Sequence, residues 1–468
     1  MKAESNDLHK FSRAYFIGAG GIGMANLERY LLRKGFEIAG YDRTESELTR
    51  NLEKEGVSLT YTDTESEIPG TFKNPEDTLV VFTPAVPSDS PILNWFLSKG
   101  FTVVKRSELL GKITRAGKSI CVAGSHGKTT TCSMIANILR NSRIGCNAFL
   151  GGILRNTGSN LIMCEGSEWS VIEADEYDRS FHRLSPTIAV VTSVDPDHLD
   201  IYGNEEGYLE GFAHFTSLIK PGGFLLKHTG LKLKPRPVDG VKEMTYSGGN
   251  EGDWHAENIE FGNGNISFTL IGPNGLRIDG LEPGVPVEIN IDNAVAAAAA
   301  SLLAGATPEE VKRGLKDFRG AKRRFEVIKD GKDGSTAFID DYAHSPNEVK
   351  ASINSVKKLY SGRKLTVIFQ PHLYSRTRDF APEFADALST ADEVIMPEIY
   401  PARELPISGV DSNLILKDVN CRSKTYCERK DLLNLIKNRK FDVVMTLGAA
   451  DIDLLIPEIL EILESRKG

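Results

Sequence analysis

Short apolar runs and helical patterns alternate along most of this chain. Ala14–Ile17, Leu79–Phe82 and Ile120–Ala123 are runs of four apolar residues, which is typical of buried strands. After the first run, apolar residues return at helical spacing from about Met24 to Lys34. Strands that alternate with helices predict parallel sheets, with functional loops at the carboxyl ends of the strands.

The same alternation returns in the last third of the chain. The predicted strands there are Ala337–Ile339, Leu365–Phe369, Glu393–Met396 and Val443–Leu447, each followed by a polar segment. A chain of 468 residues is too long for one ordinary domain. The pattern predicts three α/β domains, which are residues 1–112, 113–320 and 321–468.

Residues 230–286 break this alternation, because they are richer in glycine, proline and short alternating runs. We predict a small antiparallel addition around them, with Asn265–Leu270 and Val287–Ile289 among its strands. A helix rich in alanine and valine follows, and its first turn contains Asn290 and Asn293. Asparagine is a good helix cap, but a pair spaced three apart on one helix face is also able to reach an adenine ring.

The composition argues against several classes of function. Hydrophobic residues make up 40% of the chain and charged residues 26%, which is ordinary globular composition. A formal net charge of −8 argues against nucleic-acid binding. No run approaches the ~18 apolar residues of a membrane span, so we expect no membrane partner. The six cysteines include no C-x-x-C pair, so we expect reduced thiols in a cytoplasmic protein. We also expect a monomer or a homodimer.

A phosphate-binding loop is predicted between a buried strand and a helix. The loop, Gly124–Gly127, is followed at once by Lys128, Thr129 and Thr130. Backbone N–H groups and the helix dipole attract an anion there, lysine adds a positive charge, and a threonine hydroxyl is able to hold Mg²⁺. The spacing G-x-x-G-K-T is shorter than the common P-loop, because Val122 stands where that motif has its first glycine. The alternative, a glycine-rich turn that caps a structural helix, explains fewer of these coincident features.

A second glycine loop lies near the amino terminus. Gly18–Gly23 is a full G-x-G-x-x-G between a predicted strand and a predicted helix, and Asp42 ends the next strand. This arrangement is typical of a Rossmann unit, in which the acid meets a ribose. The obvious ligand is NAD, but the glycine pattern alone indicates only that a diphosphate or a similar anion approaches a helix start.

Residues that are able to bind a metal follow two predicted strands of the central domain. Glu173 comes directly after Trp169–Ile172, and His198 lies in the polar segment that follows the predicted strand Thr187–Val194. In a nucleotide-binding sheet, an acid at the tip of a neighbouring strand holds Mg²⁺ opposite the loop threonine. The alternative is a solvated acidic turn and a helix-capping histidine, and the position of both residues at strand ends favours a metal site.

Six motifs occur in one order along essentially the whole chain. They are G-S-H-G-K-T-T from residue 124, E-A-D-E from 173, D-H-L-D from 197, N-I-D-N from 290, R-R-F-E from 323 and D-Y-A-H-S-P from 341. This series resembles the Mur ligases, the ATP-dependent amide ligases of peptidoglycan precursor synthesis. The segments G-A-G-G-I-G-M, Q-P-H-L-Y-S-R-T-R-D-F and I-Y-P-A-R-E-L-P-I are similar to the family member that joins L-alanine to UDP-N-acetylmuramate.

The resemblance implies a fold, a set of substrates and a reaction. The fold is an N-terminal Rossmann-like domain for the UDP-sugar, a central P-loop ATPase-like domain and a C-terminal Rossmann-like α/β domain for the amino acid. The substrates are UDP-N-acetylmuramate, L-alanine and ATP, with Mg²⁺ or Mn²⁺ as the metal. The reaction passes through an acyl phosphate of the lactyl carboxylate and releases ADP and phosphate.

The resemblance also implies roles for individual residues. The UDP-sugar would be bound by Gly18, Gly20, Gly21, Ile22, Gly23, Met24, Asp42 and Thr83. ATP would be bound by Gly124, Ser125, His126, Gly127, Lys128, Thr129, Thr130, Asn290, Asn293, Arg324, Asp341 and His344. The metal would be held by Thr129, Thr130, Glu173 and His198, and the amino acid by Tyr342, His344, Arg376 and Arg378. The catalytic residues would be Lys128, Glu173, His198 and Arg376.

The sequence departs from the family pattern at several positions. Ile289 and Ser345 stand where the family often has histidines, and Leu373 stands where an arginine is frequent. These differences leave open how adenine and alanine are recognised. By an ungapped count, Phe212 replaces the carbamylated lysine of the sibling ligases that add later amino acids, which favours the alanine-adding branch.

Three other functions are open from the sequence. A recycling ligase that joins UDP-N-acetylmuramate to a tripeptide shares every ATP motif, and the Q-P-H-L-Y-S-R-T-R-D-F segment is the main feature against it. An NAD-dependent dehydrogenase would explain Gly18–Gly23 but would leave Lys128 without a role. A non-catalytic UDP-sugar sensor is opposed by Lys128 together with Glu173 and His198.

Overall fold

The chain forms two compact units in a computed structural model that describes residues 7–196, 199–262, 265–331, 333–402, 404–449 and 451–465. Unit 1 contains Met1–Ile153, Thr157–Tyr246 and Ala296–Val311. Unit 2 contains Leu154–Asn156, Ser247–Val295 and Lys312–Gly468. No helix of the described residues has both the length and the apolar character to span a membrane.

The first sheet of unit 1 is a five-stranded parallel sheet with the order β3-β2-β1-β4-β5. Its strands are β1 (Arg13–Ile17), β2 (Glu37–Tyr41), β3 (Ser58–Thr60), β4 (Thr78–Phe82) and β5 (Thr102–Lys105). The helices that connect and follow them are α1 (Ile22–Arg33), α2 (Glu47–Lys54), α3 (Pro91–Ser98) and α4 (Arg106–Ala116). The strand order reverses between β1 and β4, so the loops after these strands open onto one crevice.

A second sheet in unit 1 has the order β12-β11-β10-β6-β9-β7-β8, and its strands from β12 to β7 are parallel. The strands are β6 (Lys118–Ala123), β7 (Asn147–Leu154), β8 (Ser159–Ile162), β9 (Trp169–Glu173), β10 (Ile188–Val191), β11 (Phe224–His228) and β12 (Lys242–Ser247). The helices are α5 (Lys128–Arg140), α6 (Leu199–Tyr202) and α7 (Glu205–Ser217). The predicted parallel α/β architecture is therefore confirmed in this unit.

The two sheets of unit 1 share one hydrophobic core. Phe16 and Leu27, from the first sheet and its helix α1, belong to the same buried cluster as Phe181 and Phe212. This core fixes the glycine loop Gly18–Gly23 relative to the second sheet.

Unit 2 begins with the predicted antiparallel addition. Its strands are β13 (Trp254–Gly262), β14 (Asn265–Gly272) and β15 (Leu276–Leu281), and adjacent strands pair in antiparallel fashion. The prediction of a strand at Val287–Ile289 is wrong, because this segment leads into helix α8 (Ile289–Ala304). Its apolar character has another cause: Val285 and Val287 are buried in irregular structure, and the Asn290 side-chain amide donates to the Val285 carbonyl at 3.1 Å.

The remaining sheet of unit 2 has the order β16-β17-β21-β18-β19-β20, and only β16 is antiparallel to its neighbour. The strands are β16 (Glu326–Lys329), β17 (Ala337–Asp341), β18 (Leu365–Phe369), β19 (Glu393–Met396), β20 (Ser423–Tyr426) and β21 (Val443–Leu447). The helices after α8 are α9 (Pro308–Lys316), α10 (Pro346–Leu359), α11 (Tyr374–Asp379), α12 (Ala381–Leu388), α13 (Asn413–Leu416), α14 (Arg429–Lys437) and α15 (Ile456–Glu464).

One acidic side chain is buried in helix α1 outside both predicted loops. Glu28 is 0% exposed, and neither of its carboxyl oxygens has a hydrogen-bond partner among the described residues. Burial raises the pKa of Glu28 well above its ordinary value of 4.5; Arg29 opposes this shift, while Asp42 and Glu55 add to it. The folded chain therefore favours the protonated form of this carboxyl group.

We predict that Glu28→Gln stabilises the protein at neutral pH. Because the pKa of Glu28 is higher in the folded than in the unfolded chain, stability falls as pH rises above the ordinary carboxyl value. Glutamine has the shape of the protonated acid and does not titrate, so the free energy of unfolding should rise by about 1 kcal/mol or more at pH 7.5. Urea unfolding at pH 4 and pH 7.5 measures this difference, which should vanish at pH 4. The exposed Glu76→Gln is the control, and an equal effect of both variants would contradict the prediction.

Candidate active site

The phosphate loop Gly124–Gly127 depends on two glycines. Gly124 has φ +146°, and a Cβ atom there would lie 2.0 Å from the Thr192 hydroxyl oxygen, so no other residue fits. Gly127 has φ +82° and caps helix α5 from the left-handed region. As a glycine, Gly127 supplies no side-chain cap to α5, so the N–H groups of its first turn are suited to bind an anion.

The segment after β10 holds this loop in place. The Ser125 N–H donates to the Ser193 carbonyl at 3.3 Å, and the His126 N–H donates to the Ser193 hydroxyl at 2.7 Å. The Ser125 hydroxyl donates to the Asp195 carbonyl at 2.6 Å and lies 2.9 Å from the Tyr208 hydroxyl. The His126 side chain is exposed. The loop is thus held by its backbone N–H groups and by the Ser125 hydroxyl, while the His126 side chain stays in solvent.

Lys128 turns back over the loop. Its ammonium group donates to the Gly124 carbonyl at 2.6 Å and to the two carboxylate oxygens of Glu176 at 2.9 and 2.7 Å. The Lys128 side chain is 14% exposed and the Glu176 side chain only 2%. Glu176 lies in the predicted acidic segment, but no role was expected for it. Its buried charge beside Lys128 makes it part of the site.

Glu173 lies at the end of β9 and faces the same helix. Its carboxylate accepts the Thr129 hydroxyl at 2.9 Å and the Gly151 N–H at 3.0 Å. Burial raises the pKa of Glu173, while the Thr129 hydroxyl, Lys128 and the Gly151 N–H oppose this shift. A Cβ atom on Gly151 would lie 2.4 Å from a carboxylate oxygen of Glu173, so the glycine leaves room for the acid.

The oxygen atoms of Thr129 and Glu173 fit a hard divalent cation such as Mg²⁺, which prefers hydroxyl and carboxylate ligands. Among the described residues, the Thr130 hydroxyl has no hydrogen-bond partner, which distinguishes it from Thr129. His198, the third residue predicted for this metal, lies outside the described residues.

The N-terminal glycine loop, like the phosphate loop, begins with a glycine that has a positive φ angle and no room for a side chain. A Cβ atom on Gly18, which has φ +85°, would lie 2.5 Å from the Thr83 methyl carbon, so these two predicted residues meet at the sheet crevice. The Gly20 N–H donates to Asp42 at 2.6 Å, and the Thr44 N–H donates to the other carboxylate oxygen of Asp42 at 3.0 Å. Asp42 thus shapes the glycine loop, whatever its part in ribose binding.

A cavity of about 210 Å³ lies beside the N-terminal glycine loop in unit 1. Its lining includes Ile22 and Gly23 together with Glu173 and Asp175, and Arg106 lies against Gly23. Sequence reasoning missed Arg106, because a basic residue at a helix start carries no distinctive pattern.

Gly21 and Met24, which were also predicted to bind the UDP-sugar, have structural positions at the start of α1. Gly21 is the N-cap of α1. The Met24 side chain is buried in the core, and its N–H donates to the Gly21 carbonyl at 2.9 Å. The Met24 side chain is therefore a packing residue, which the glycine pattern alone does not show.

In unit 2, the predicted asparagine pair lies at the start of helix α8. Asn290 and Asn293 are buried, and the Asn293 amide donates to the Asn290 side-chain carbonyl at 3.0 Å. Ile289, at the position where the family often has histidine, is 57% exposed. An isoleucine side chain has no hydrogen-bonding group, so Ile289 offers only apolar contact at this position.

Arg324, Asp341 and Tyr342 meet at the end of β17. Asp341 accepts the Phe325 N–H at 3.1 Å and the Ser352 hydroxyl. Burial raises the pKa of Asp341, and the Ser352 hydroxyl opposes the shift most strongly. The guanidinium of Arg324 lies 5.3 Å from the centre of the Tyr342 ring, within cation–π range.

His344 lies beside this group, at the start of helix α10. Burial lowers the pKa of His344, and Glu348 opposes this shift from 3.4 Å. Ser345, the departure from the family pattern, is the N-cap of α10 and forms a capping box with Glu348. The capping of α10 therefore explains the serine at this position.

Arg376 and Arg378 differ in their surroundings. Arg376 lies 3.4 Å from the His372 ring nitrogen, and the His372 ring stacks on Tyr400. Arg378 is about half exposed and pairs with its neighbour Asp379 at 2.7 Å. Residues two apart on a helix do not share a face. Of these two arginines, Arg376 is therefore the one that lies beside the His372 ring.

Leu373, where the family often has arginine, precedes α11 with φ +70°. The left-handed conformation is unfavourable for leucine, and the turn is held by its N–H, which donates to the Tyr400 carbonyl at 3.0 Å. The arginine of the family pattern is thus replaced by a residue whose backbone shapes the turn before Arg376.

Three family models match this chain in succession. The Mur ligase family catalytic domain matches residues 13–118, the Mur ligase middle domain residues 122–301, and the Mur ligase glutamate ligase domain residues 323–450. A curated protein of Parabacteroides distasonis, named UDP-N-acetylmuramate–L-alanine ligase, is 52% identical over 98% of both chains. The chain belongs to the Mur ligase family.

Other relatives of this Mur ligase carry the same name. A protein of Phocaeicola vulgatus called UDP-N-acetylmuramate–L-alanine ligase is 52% identical over 98% of this chain and 100% of its own. Among solved structures, the UDP-N-acetylmuramate-alanine ligase of Thermotoga maritima is 26% identical, with a TM-score of 0.77 over 97% of this chain and 100% of its own. The three-domain α/β fold class predicted from the sequence is confirmed by these matches.

We predict that the two threonines after Lys128 in this Mur ligase differ in metal dependence. Thr129→Val keeps the shape of the side chain but removes the hydroxyl that faces Glu173. The Mg²⁺ concentration for half-maximal phosphate release should rise by about tenfold or more. Thr130→Val is the matched comparison and should shift this concentration by less than about threefold. Equal shifts in a Mg²⁺ titration of both variants would contradict the assignment.

Proposed function

We propose that this Mur ligase joins L-alanine to the lactyl carboxylate of UDP-N-acetylmuramate, with hydrolysis of ATP to ADP and phosphate. The observation that carries this proposal is the cavity of unit 1. Its lining includes Ile22 and Gly23 of the dinucleotide-type glycine loop together with Glu173, whose carboxylate also accepts the Thr129 hydroxyl just after the phosphate loop. This arrangement suits a reaction between a nucleotide-linked sugar acid and ATP. The names of the relatives that align over the full chain support the choice of substrates.

The first step activates the carboxylate, whose oxygen is a poor leaving group. A lactyl carboxylate oxygen attacks the γ-phosphorus of ATP, the bond to the β-phosphate oxygen breaks, and ADP leaves. Lys128 neutralises charge on the moving phosphoryl group, and Arg106 supplies a positive charge in the cavity for the sugar substrate. Mg²⁺, held by Thr129, Glu173 and His198, would supply further charge neutralisation.

The second step forms the amide bond. The amine of L-alanine attacks the acyl carbon, phosphate leaves with its electron pair, and the amine loses a proton. In our proposal Arg376 binds the carboxylate of L-alanine, because a guanidinium matches a carboxylate with two hydrogen bonds. Tyr342 and His344 would surround the amino acid, and His344 also belongs to the nucleotide site.

The nucleotide base is assigned to unit 2. Asn290 and Asn293 would meet adenine, and Arg324 with Asp341 would meet the rest of the nucleotide. The domain limits at residues 112 and 320, a cytoplasmic location and a monomer or homodimer remain parts of the proposal.

A coupled assay tests the choice of amino acid. We expect phosphate release from UDP-N-acetylmuramate, ATP and Mg²⁺ to be fastest with L-alanine, and slower with glycine or L-serine. Mass spectrometry should find a product equal to sugar nucleotide plus alanine minus water. Activity only with the peptidoglycan tripeptide would instead identify a recycling ligase, and tight binding of NADH without phosphate release would indicate a dehydrogenase.

We predict that Lys128→Ala abolishes substrate-dependent phosphate release. The variant removes the positive charge over the phosphate loop, which should lower kcat by about a hundredfold or more. Lys118→Ala is the matched control, because Lys118 lies on β6 with its side chain 55% exposed. Near-normal turnover of the Lys128 variant would contradict the role of the loop.

A further inference from the structure

We propose that Glu176 is a positioning residue, which holds the Lys128 ammonium group at the phosphate loop and thereby sets the rate of phosphoryl transfer. The proposal rests on the function assigned above, since it concerns the step in which the γ-phosphoryl group moves. It adds to that function a residue that does not itself touch the substrates.

The first support is that the ion pair of Lys128 and Glu176 is largely shielded from water. Among the described residues, Lys128 is the hydrogen-bond partner of both carboxylate oxygens of Glu176, at 2.9 and 2.7 Å. The Glu176 side chain is 2% exposed. A carboxylate removed from water requires a partner of opposite charge, and the same holds for the ammonium. The two charges therefore fix each other inside unit 1.

The second support is the way in which the backbone of Glu176 is held. Its carbonyl accepts the Tyr202 hydroxyl at 2.6 Å and the Arg179 N–H at 3.0 Å. The Arg179 guanidinium also lies 5.1 Å from the centre of the Tyr202 ring. Asp178 and Arg179 both have left-handed φ angles, +50° and +60°, which form a tight turn after Glu176. The carboxylate thus starts from a backbone position fixed by several contacts.

The third support is the number of donors on the ammonium group. An ammonium has three N–H donors. The Gly124 carbonyl takes one at 2.6 Å, and Glu176 lies close to the other two. If Glu176 keeps one donor when ATP binds, the Gly124 carbonyl and Glu176 together fix the ammonium group, and its third N–H remains for a phosphate oxygen. Without Glu176, the flexible lysine stem loses this orientation but keeps its positive charge.

Loss of Glu176 should change kcat and KM for ATP in different ways. The attraction of Lys128 for ATP does not require Glu176, and removal of a competing negative charge favours ATP binding. Phosphoryl transfer depends on the position of the ammonium, where a displacement of about 1 Å costs about a hundredfold in rate. Loss of Glu176 should therefore lower kcat and leave the affinity for ATP unchanged or higher.

The experiment compares Glu176→Gln, Glu176→Asp and the control Glu168→Gln in the full-length enzyme. Glu168 precedes β9, and its side chain is 75% exposed. With UDP-N-acetylmuramate and L-alanine saturating, Glu176→Gln should lower kcat by about tenfold or more and leave KM for ATP unchanged or lower. Glu176→Asp keeps the charge and should recover part of kcat, and the control should match the parent enzyme.

Melting temperatures and circular dichroism report the folded fraction of each variant. A purely structural role of Glu176 would lower the melting temperature but leave kcat per folded enzyme unchanged. A kcat of folded Glu176→Gln within about twofold of the parent would overturn the proposal. If the parent itself shows no turnover with L-alanine, the proposed function fails separately.

A second measurement tests the ion pair without any turnover. Lys128→Met leaves the Glu176 carboxylate buried and unpaired, so the melting temperature should fall by several degrees. Addition of Glu176→Gln to that variant should recover part of the loss, because it removes the unpaired charge. No recovery in the double variant would show that the two side chains do not depend on each other, which also overturns the proposal.

Discussion

The close approach of Gly124 to the end of β10 is the constraint on which the rest of the candidate site depends. There is no room for a side chain on Gly124 beside Thr192, so the backbone passes close to the end of β10 as it leaves β6. Helix α5 then begins after three more residues. Lys128 then starts the helix close enough to bind the Gly124 carbonyl at 2.6 Å. Thr129 follows on the side that faces Glu173. The chemistry at the start of α5 is thus a consequence of backbone packing.

Both units hold their polar side chains with neighbouring protein groups. In unit 1, Asp42 is bound by two backbone N–H groups and Glu173 by one. In unit 2, Asp341 is bound by the Phe325 N–H and the Ser352 hydroxyl. Groups held in this way need little reorganisation during a reaction, which is the basis of electrostatic preorganisation.

The sequence predicted what depends on local patterns and missed what depends on distant pairs. The strands, both glycine loops and the acid after β9 follow from runs of apolar residues and short motifs. The Lys128–Glu176 pair joins residues 48 positions apart, and no local pattern indicates it. Val287–Ile289 has the composition of a strand, but burial of Val287 in irregular structure produces the same pattern.

The division of the chain between the two units has a consequence for synthesis on the ribosome. Unit 1 includes Ala296–Val311, most of which lies in the alanine-rich helix α8, after a long segment of unit 2 has been made. Ala296–Ala300 are fully buried. The apolar surface that packs against this part of α8 is therefore exposed on the growing chain until the helix has left the ribosome. Unit 1 is therefore complete only after residues from more than one stretch of the chain have been made. A translation pause before residue 311 would leave a hydrophobic surface that chaperones recognise.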